Sequence, residues 1–251
     1  MEKLTVVILT YNEERNIKRC LDSILDLADE IIVVDSNSTD RTPEICKEYG
    51  VKFFQHAFEG YIEQKNYATK LVTNDFILSL DADEAVSETL MQSILEVKKN
   101  RTFDGYTMNR LTNYCGKWIH HSGWYPDIKL RLVDRRSGHW GGINPHDRFE
   151  MNQDGTIKHL KGDLYHYSYY TFEEHRLQIR KFAEISANAL FKNGVRSGPA
   201  KIIYKPVARF LRCYFVKAGF LDGAEGWTIA RMTAWASYLR YTRLYNLSKK
   251  K

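Results

Sequence analysis

The sequence predicts an α/β protein whose central sheet is mostly parallel. Four strand-length apolar runs alternate with helical segments within residues 4–84, and this alternation is typical of βα units joined by right-handed crossovers. The runs are almost continuously apolar and rich in valine and isoleucine. Strands that helices cover on both faces have this composition.

Local signals bound the four βα units. We expect strands at Leu4–Thr10, Glu30–Val34, Val51–His56 and Phe76–Leu80. A first helix is predicted to run to Leu25 with Asn12 as its N-cap residue, because asparagine favours that position. Pro43 near the first turn and Gly50 just past the end bracket the second helix. Glu63–Val72 is predicted to form the third.

Polar clusters follow three of these strands, at residues 10–13, 35–42 and 81–84. The carboxyl ends of parallel strands meet at one edge of a sheet, and open α/β sheets bind their ligands there. We therefore expect a binding site at this edge.

The last cluster contains three carboxylates within four residues, Asp81, Asp83 and Glu84. Neighbouring like charges repel and raise each other's pKa, so packing alone does not favour them. A divalent cation would favour this arrangement, because carboxylate oxygens hold such cations and phosphate often completes the coordination. The alternative is a solvated acidic turn after a buried strand.

The order and spacing of four motifs resemble those of inverting family 2 glycosyltransferases with the A-type nucleotide-sugar fold. The motifs are Thr10–Glu13, Val34–Thr42, Gln64–Asn66 and Leu80–Glu84. The resemblance implies a Rossmann-like nucleotide-sugar-binding domain (GT-A) and a hexosyltransferase activity. A basic amphipathic helical segment is expected to follow this domain.

Later segments resemble a narrower branch, the lipopolysaccharide core glucosyltransferases that add a β-linked glucose to an inner-core heptose. They are Trp124–Pro126, Lys129–Leu132 and Asn144–Asp147. The implied reaction moves a hexose, with glucose favoured, from a UDP-sugar to a sugar hydroxyl of a lipopolysaccharide or other glycolipid core. We expect residues 1–95 to bind the donor, residues 96–170 to bind the acceptor and residues 171–251 to form the helical region.

The resemblance also implies the donor-binding residues. In the first motif Thr10, Tyr11 and Asn12 would lie against the uracil base, with Glu13 beside them. Asp35 would accept a hydrogen bond from the uracil N–H, and Lys65 is a candidate for the ribose or diphosphate. The alternatives are a half-buried loop aromatic for Tyr11, the start of an Asx-turn for Asp35 and a solvated side chain for Lys65.

For the cation, Mg²⁺ or Mn²⁺, the resemblance implies that Asp83 is a direct ligand. Asp81 would lie nearer the ribose and the metal-bound waters. His166 is the candidate for a further protein ligand, and its alternative is a packed core histidine. The cation would offset charge that builds on the diphosphate leaving group.

Inversion needs a general base to take the proton of the acceptor hydroxyl. The candidates are Asp147, Glu84 and Asp127. Asp147 is preferred because it matches a His-Glu pair of the core-transferase branch, with aspartate in place of glutamate. Its alternative role is an ion pair with Arg148 or Arg131, and Glu84 is expected to support the site. The aromatic segment 114–125 is either an acceptor platform or an ordinary hydrophobic loop.

The net charge of +6 is concentrated in residues 201–251, which contain eleven Lys or Arg against two acids. Lys201, Lys205, Arg209 and Arg212 share one side of a predicted helix whose opposite side is apolar. This pattern is typical of helices that bind an anionic membrane surface. The alternative is a helix that packs its apolar side on the catalytic domain. No recognition module for nucleic acid accompanies the charge, so nucleic acid is not an expected partner.

The remaining composition predicts a cytoplasmic protein, peripheral on the inner face of the cytoplasmic membrane. The four cysteines are scattered without metal-ligand spacing, which suits reduced thiols. We find neither a signal peptide nor an apolar run of about 18 residues that would span a bilayer.

Three other protein classes share parts of this pattern. Haloacid dehalogenase phosphatases carry Asp-x-Asp at their first strand and need a later Gly-Asp-x-x-x-Asp motif, which residues 162–167 lack. A non-catalytic nucleotide-sugar-binding module would keep Tyr11 and Asp35 without needing a metal or a base. Family 2 also contains enzymes that transfer sugar to polyprenyl phosphate, which stays an alternative acceptor.

Overall fold

The structure is a computed structural model that describes residues 1–144 and 146–249. The chain divides into two compact units. The first unit contains Met1–Arg110 and Asp127–Tyr167, and the second contains Leu111–Pro126 and the chain from Ser168 onwards.

Eleven strands are found in the described ranges. They are β1 (Leu4–Thr10), β2 (Glu30–Asp35), β3 (Lys52–Gln55), β4 (Phe76–Asp81), β5 (Glu84–Val86), β6 (Gly105–Tyr114), β7 (Lys117–Ile119), β8 (Asp127–Asp134), β9 (Gly138–Ile143), β10 (His146–Met151) and β11 (Ile157–Tyr169). Nine of them form one sheet in the order β3-β2-β1-β4-β8-β6-β11-β5, with β7 paired to β6, while β9 and β10 form a hairpin.

Seven α-helices accompany these strands in the same described ranges. They are α1 (Ile17–Asp22), α2 (Thr42–Glu48), α3 (Tyr61–Leu71), α4 (Glu88–Lys99), α5 (Phe172–Lys192), α6 (Pro199–Leu211) and α7 (Gly223–Lys249). The α/β fold class is confirmed, but the sheet is mixed and not mostly parallel, because the strands from β5 onwards that join it pair antiparallel. The first four strands pair in parallel, whereas β8 pairs antiparallel with both β4 and β6.

Side chains of β1 alternate between two cores, because successive residues of a strand face opposite sides of the sheet. Val6 and Ile8 pack in a cluster with residues of α1, α2 and α4. Val7 lies in a second cluster with Ala68 of α3 and with Trp140 of β9. Helices therefore cover both faces of the parallel strands, as the near-continuous apolar runs predict.

The prediction that Asn12 caps a helix reaching Leu25 is wrong. Helix α1 spans only Ile17–Asp22, and Asn12 has a φ of 54°, a left-handed conformation that asparagine tolerates better than most residues. Its Oδ1 accepts a hydrogen bond from the Thr39 N–H at 2.8 Å. The side chain thus joins the loops after β1 and β2, and it is not available to cap a helix.

Helices dominate the second unit. A capping box between Thr171 and Glu174 begins α5, and a small core that includes Tyr114, Ile119 and Ile229 lies within the unit. Across residues 1–144 and 146–249, no helix is both long and apolar enough to cross a membrane.

Candidate active site

The carboxyl edge of the parallel strands brings the predicted polar clusters together. In the register of β1 with β2, Thr10 lies beside Asp35, and in the register of β1 with β4, Leu9 lies beside Asp81. The loop after β4 is tied to the same edge, because the Ala82 N–H donates to the Leu9 carbonyl at 3.0 Å. The three clusters therefore line a single edge, as predicted.

The first two clusters form a loop pair with one exposed aromatic ring. Tyr11 is 58% exposed, so its face is open to solvent. Asp35 is buried, and its two carboxylate oxygens accept hydrogen bonds from the Ser38 N–H at 2.8 Å and the Ser38 hydroxyl at 2.5 Å. Asp35 thus shapes its own loop, the alternative role considered for it. The Thr10 hydroxyl is buried without a hydrogen-bond partner among the residues described.

Glu13 lies close to the acidic cluster that follows β4. Burial raises the pKa of Glu13 to about 7, a hydrogen bond from Asn16 opposes this shift, and the negative charges of Asp83 and Asp40 add to it. The bond from Asn16 Nδ2 to Glu13 Oε2 measures 2.7 Å. A positive charge beside Asp83 would relieve this repulsion, because an opposite charge favours the ionised form.

Asp81 is held by two cations. Arg131 Nη2 donates to Asp81 Oδ2 at 2.6 Å, and Lys65 Nζ lies 3.5 Å from Asp81 Oδ1. Although burial opposes it, the charges of Arg131 and Lys65 hold the pKa of Asp81 well below its usual range. Asp81 is therefore ionised, and its charge is compensated by the protein itself.

Glu84 is enclosed more completely. It is buried, and its Oε1 accepts hydrogen bonds from Arg131 at 3.0 Å and from Arg110 at 3.2 Å. Its Oε2 accepts from the Asp81 N–H at 3.0 Å. A carboxylate with both oxygens occupied in this way is poorly placed to meet an acceptor hydroxyl, which favours the supporting role.

Asp83 and His166 meet across β5 and β11. His166 Nε2 lies 3.2 Å from Asp83 Oδ2, because β11 pairs with β5 in a register that sets His166 beside Glu84. The Tyr167 N–H also donates to the Asp83 carbonyl at 2.9 Å. The turn after β4 and the end of β11 are thus fixed against each other.

The donor set at this pair fits a cation that is shared with a substrate. Within the described part of the chain, no group of three or more His, Cys, Asp or Glu is arranged to hold a metal ion. Mg²⁺ commonly takes only one or two protein ligands and completes its shell with water and phosphate oxygens. Asp83 offers one carboxylate oxygen of this kind, and His166 adds one imidazole nitrogen.

Asp147 forms an ion pair, but its partner is a lysine. Lys65 Nζ donates to Asp147 Oδ2 at 2.6 Å and lies 4.6 Å from the centre of the Trp140 ring. Lys65 is only 2% exposed, so its interpretation as a solvated side chain is wrong. Pro145, which belongs to the same predicted motif, lies outside the described residues.

Comparison with known proteins gives the family. The model for glycosyl transferase family 2 matches residues 5–195. The chain belongs to glycosyl transferase family 2. An uncharacterized glycosyltransferase of Rickettsia typhi is 30% identical to it over 100% of this chain and 89% of the relative. The lipopolysaccharide core biosynthesis glycosyltransferase LpsC of Rhizobium meliloti is 25% identical over 95% of this chain and 93% of LpsC.

A solved structure shows the same fold. The crystal structure of S. aureus TarS 1–349 in complex with UDP-GlcNAc superposes with a TM-score of 0.50 at 17% identity. The superposition covers 99% of this chain and 92% of the TarS chain. The chain is therefore a glycosyltransferase with a GT-A-like α/β fold.

In this family 2 glycosyltransferase, two arginines that were not predicted as site residues organise the carboxylates. Arg131 contacts Asp81 and Glu84, and Arg110 contacts Glu84 and Asp127. The positive charge of Arg110 lowers the pKa of Asp127 despite its burial. The available signal was the alternation of charged and apolar residues in Lys129–Leu132. In a strand this alternation sets Lys129 and Arg131 on one face and the two leucines on the other.

The segment 114–125, considered as an acceptor platform, divides into two parts. Tyr114 is buried and packs edge-on against Trp124 with ring centres 5.4 Å apart, so these two rings belong to the core of the second unit. His121 lies closer to solvent, and its Nδ1 is 3.0 Å from Asp222 Oδ1.

Replacing Arg131 with methionine is expected to lower the free energy of unfolding by about 3–5 kcal/mol, the usual cost of leaving a buried charge without its partner. Two carboxylates, Asp81 and Glu84, lose a partner at once. Urea denaturation measures the change. The matched control is Arg148→Met, which removes an exposed guanidinium paired with Glu150 and is expected to have little effect. Equal losses in the two variants would contradict this role for Arg131.

Proposed function

We propose that this glycosyltransferase moves a hexose, with glucose favoured, from a UDP-sugar to a sugar hydroxyl of a lipopolysaccharide or related glycolipid core, with inversion. The observation that carries the proposal is the meeting of Asp83 and His166 at 3.2 Å on the edge where Thr10 and Asp35 lie side by side. The name of LpsC, which is similar over 93% of its length, supports the acceptor class. In this proposal residues 1–95 serve the donor, residues 96–170 the acceptor and residues 171–251 the helical region.

The loop pair suits a uracil base. Tyr11 offers an exposed ring face for stacking. Each oxygen of the Asp35 carboxylate can accept more than one hydrogen bond, so its bonds to Ser38 are compatible with a further bond from the base. The Thr10 hydroxyl supplies an additional unpartnered polar atom at the same edge.

Asp83 and His166 would hold Mg²⁺ or Mn²⁺, which supplies positive charge to the departing diphosphate. Arg131 donates a hydrogen bond to Asp81 at 2.6 Å, so the charge of Asp81 is already compensated. Asp81 is therefore assigned to the ribose side of the site, and Asp83 to the cation. Lys65 is buried between Asp81 and Asp147 and positions both carboxylates.

Direct displacement then requires a proton acceptor on the acceptor side, and we assign Asp147 to this step. The ammonium group of Lys65 holds one oxygen of the Asp147 carboxylate in place through a hydrogen bond of 2.6 Å. The hydroxyl proton becomes acidic only as the oxocarbenium-like transition state forms, which a weak base suits. Asp147 takes that proton while the acceptor oxygen forms the new glycosidic bond with the anomeric carbon. The bond from this carbon to the diphosphate breaks on the opposite face, and UDP departs.

Mass spectrometry of products tests the proposal directly. The enzyme is incubated with a panel of UDP-sugars and a lipopolysaccharide core truncated at its inner heptose. A mass gain of one hexose on the core is expected. Transfer to polyprenyl phosphate instead would establish the alternative acceptor, and binding of UDP-sugars without any transfer would establish a non-catalytic module.

Base recognition is tested by calorimetry. Wild-type protein is expected to bind UDP at least about tenfold more tightly than GDP, since a lost buried hydrogen bond to a charged group costs about 1.5–3 kcal/mol. Asp35→Asn should erase most of this preference. Ser38→Ala, which removes the hydroxyl that donates to Asp35, is the control for a change in loop shape alone. Equal affinities of the wild type for UDP and GDP would contradict the assignment.

A second surface supports a peripheral place on the inner face of the cytoplasmic membrane. Part of the predicted apolar side is exposed, with Ile203 70% and Val207 55% exposed, while Phe210 packs against the core of the second unit. Lys201, Lys205, Arg209 and Arg212 supply the positive charge. We therefore propose that α6 binds an anionic membrane surface, where each basic residue contributes about 1 kcal/mol.

A further inference from the structure

Helices α5, α6 and α7 of the second unit surround a cavity of about 310 Å³. Its lining includes two arginines from different helices, Arg209 of α6 and Arg240 of α7, together with Ser237 and Thr233 of α7 and Gln178 of α5. None of these residues belongs to the donor site or to the proposed acceptor segment. A cavity with this many polar side chains between helices is unusual, because such interfaces are normally filled by apolar groups.

Two polar atoms of this lining are buried without a partner. Ser237 is only 3% exposed, and neither its hydroxyl nor Arg240 Nε has a hydrogen-bond partner in the part of the chain that the structure describes. Buried polar atoms nearly always have a partner, and leaving one unpaired costs about 1–3 kcal/mol. A ligand that accepts hydrogen bonds from both groups would remove this cost.

The charge of the cavity is also uncompensated. Within residues 1–144 and 146–249, Arg209 and Arg240 form no ion pair with a carboxylate, whereas Arg243 on the same helix pairs with Glu184 at 2.8 Å. His175 also lines the cavity, but burial lowers its pKa to about 4, so the imidazole is neutral near pH 7. The cavity therefore presents two guanidinium groups and one hydroxyl to an anion.

We propose that this cavity binds the phosphate group of an anionic lipid. Guanidinium groups bind phosphate through paired N–H donors, and a serine hydroxyl supplies one more donor. Apolar side chains that could meet the acyl chains are exposed close to the lining residues along the helices. They are Phe182 of α5, which itself lines the cavity, and Val207 and Leu211 of α6.

This inference rests on the proposed membrane contact of α6, to which it adds a head-group site. It does not depend on glycosyl transfer. The membrane surface alone would attract any anionic lipid through diffuse charge. The cavity adds a preference for phosphate over other anionic groups and a dependence on particular arginines.

The test is vesicle sedimentation with the full-length protein. Phosphatidylcholine vesicles contain either phosphatidic acid or, at equal surface charge, oleic acid. Wild-type protein is expected to bind the phosphatidic acid vesicles at least about tenfold more tightly than the oleic acid vesicles, as loss of a charge-assisted hydrogen bond predicts. Arg240→Gln and Arg209→Gln should each remove most of this preference, and Ser237→Ala should reduce it.

Arg231→Gln is the matched control, since Arg231 lies exposed on α7 but outside this cavity. It should weaken binding to both kinds of vesicle alike. Arg209 is exposed, so its variant keeps the test valid if Arg240→Gln disturbs the fold. Inorganic phosphate serves as the soluble competitor, and it should displace the protein from vesicles only weakly.

Each contrary outcome has a distinct meaning. Failure of the wild type to sediment with either kind of vesicle at low salt would overturn both the membrane contact and the head-group site. Equal binding to the two kinds of vesicle, or equal losses in Arg240→Gln and Arg231→Gln, would overturn the head-group site and leave the membrane contact in place. Tight binding of free phosphate without vesicle binding would assign the cavity to a soluble phosphate and overturn the lipid assignment.

Discussion

Replacing Asp83 with asparagine is expected to lower sugar transfer by about 10³-fold or more, because the proposed cation loses its only carboxylate ligand and the diphosphate loses the compensating charge. The fold should change little, since the amide can still hydrogen-bond to His166, 3.2 Å away. Transfer is measured with added Mg²⁺ or Mn²⁺, and metal binding is measured separately by the thermal shift that Mn²⁺ and UDP produce together.

Asp26→Asn is the control, because Asp26 is an exposed aspartate outside the polar clusters at the carboxyl edge. His166→Ala is expected to weaken metal binding less severely than the Asp83 variant. An unchanged metal affinity in His166→Ala would assign His166 to packing alone. Full activity of the wild type in excess chelator would show that the acidic turn serves another purpose.

The second large effect separates the two candidate bases. Asp147→Asn is expected to lower kcat by about 10²–10⁴, the usual loss when proton transfer is removed, while UDP-sugar and metal binding stay intact. Glu84→Gln is expected to impair kcat less and to lower stability instead, because its carboxylate accepts hydrogen bonds from Arg131 and Arg110 in a buried position.

Initial rates and urea denaturation, measured on both variants, give the two quantities needed. The reverse ranking, with Asp147→Asn near wild type and Glu84→Gln folded but inactive, would move the base to Glu84. Asp147 would then be a structural partner of Lys65, which donates to it at 2.6 Å.

The sequence predicted the parallel part of the fold because each strand there is a continuous apolar run, and that signal is local. The edge on which Thr10, Asp35 and Asp81 meet follows from the same units. The predicted start of α1 was wrong because asparagine is a common N-cap residue. The Asn12 side chain instead accepts a hydrogen bond from Thr39, 27 residues away in the sequence.

Local sequence patterns do not predict which residues pair with the site carboxylates. Arg131 reaches Asp81 across 50 residues of sequence, and the pairing of Lys65 with Asp147 spans 82. Such pairs depend on the order of strands in the sheet, which spacing along the chain does not encode. The proximity of His166 to Asp83 was anticipated only through the family resemblance.

Arg131 also limits where the protein can be truncated. The guanidinium that neutralises Asp81 and Glu84 comes from β8 (Asp127–Asp134), far downstream of the motifs proposed to bind the nucleotide. A fragment that ends near residue 95 would retain both carboxylates and lose their counter-ion, so a truncated donor half is not expected to be a self-sufficient nucleotide-binding module. An exchange of the acceptor segment in this protein is expected to need a cation at the position of Arg131.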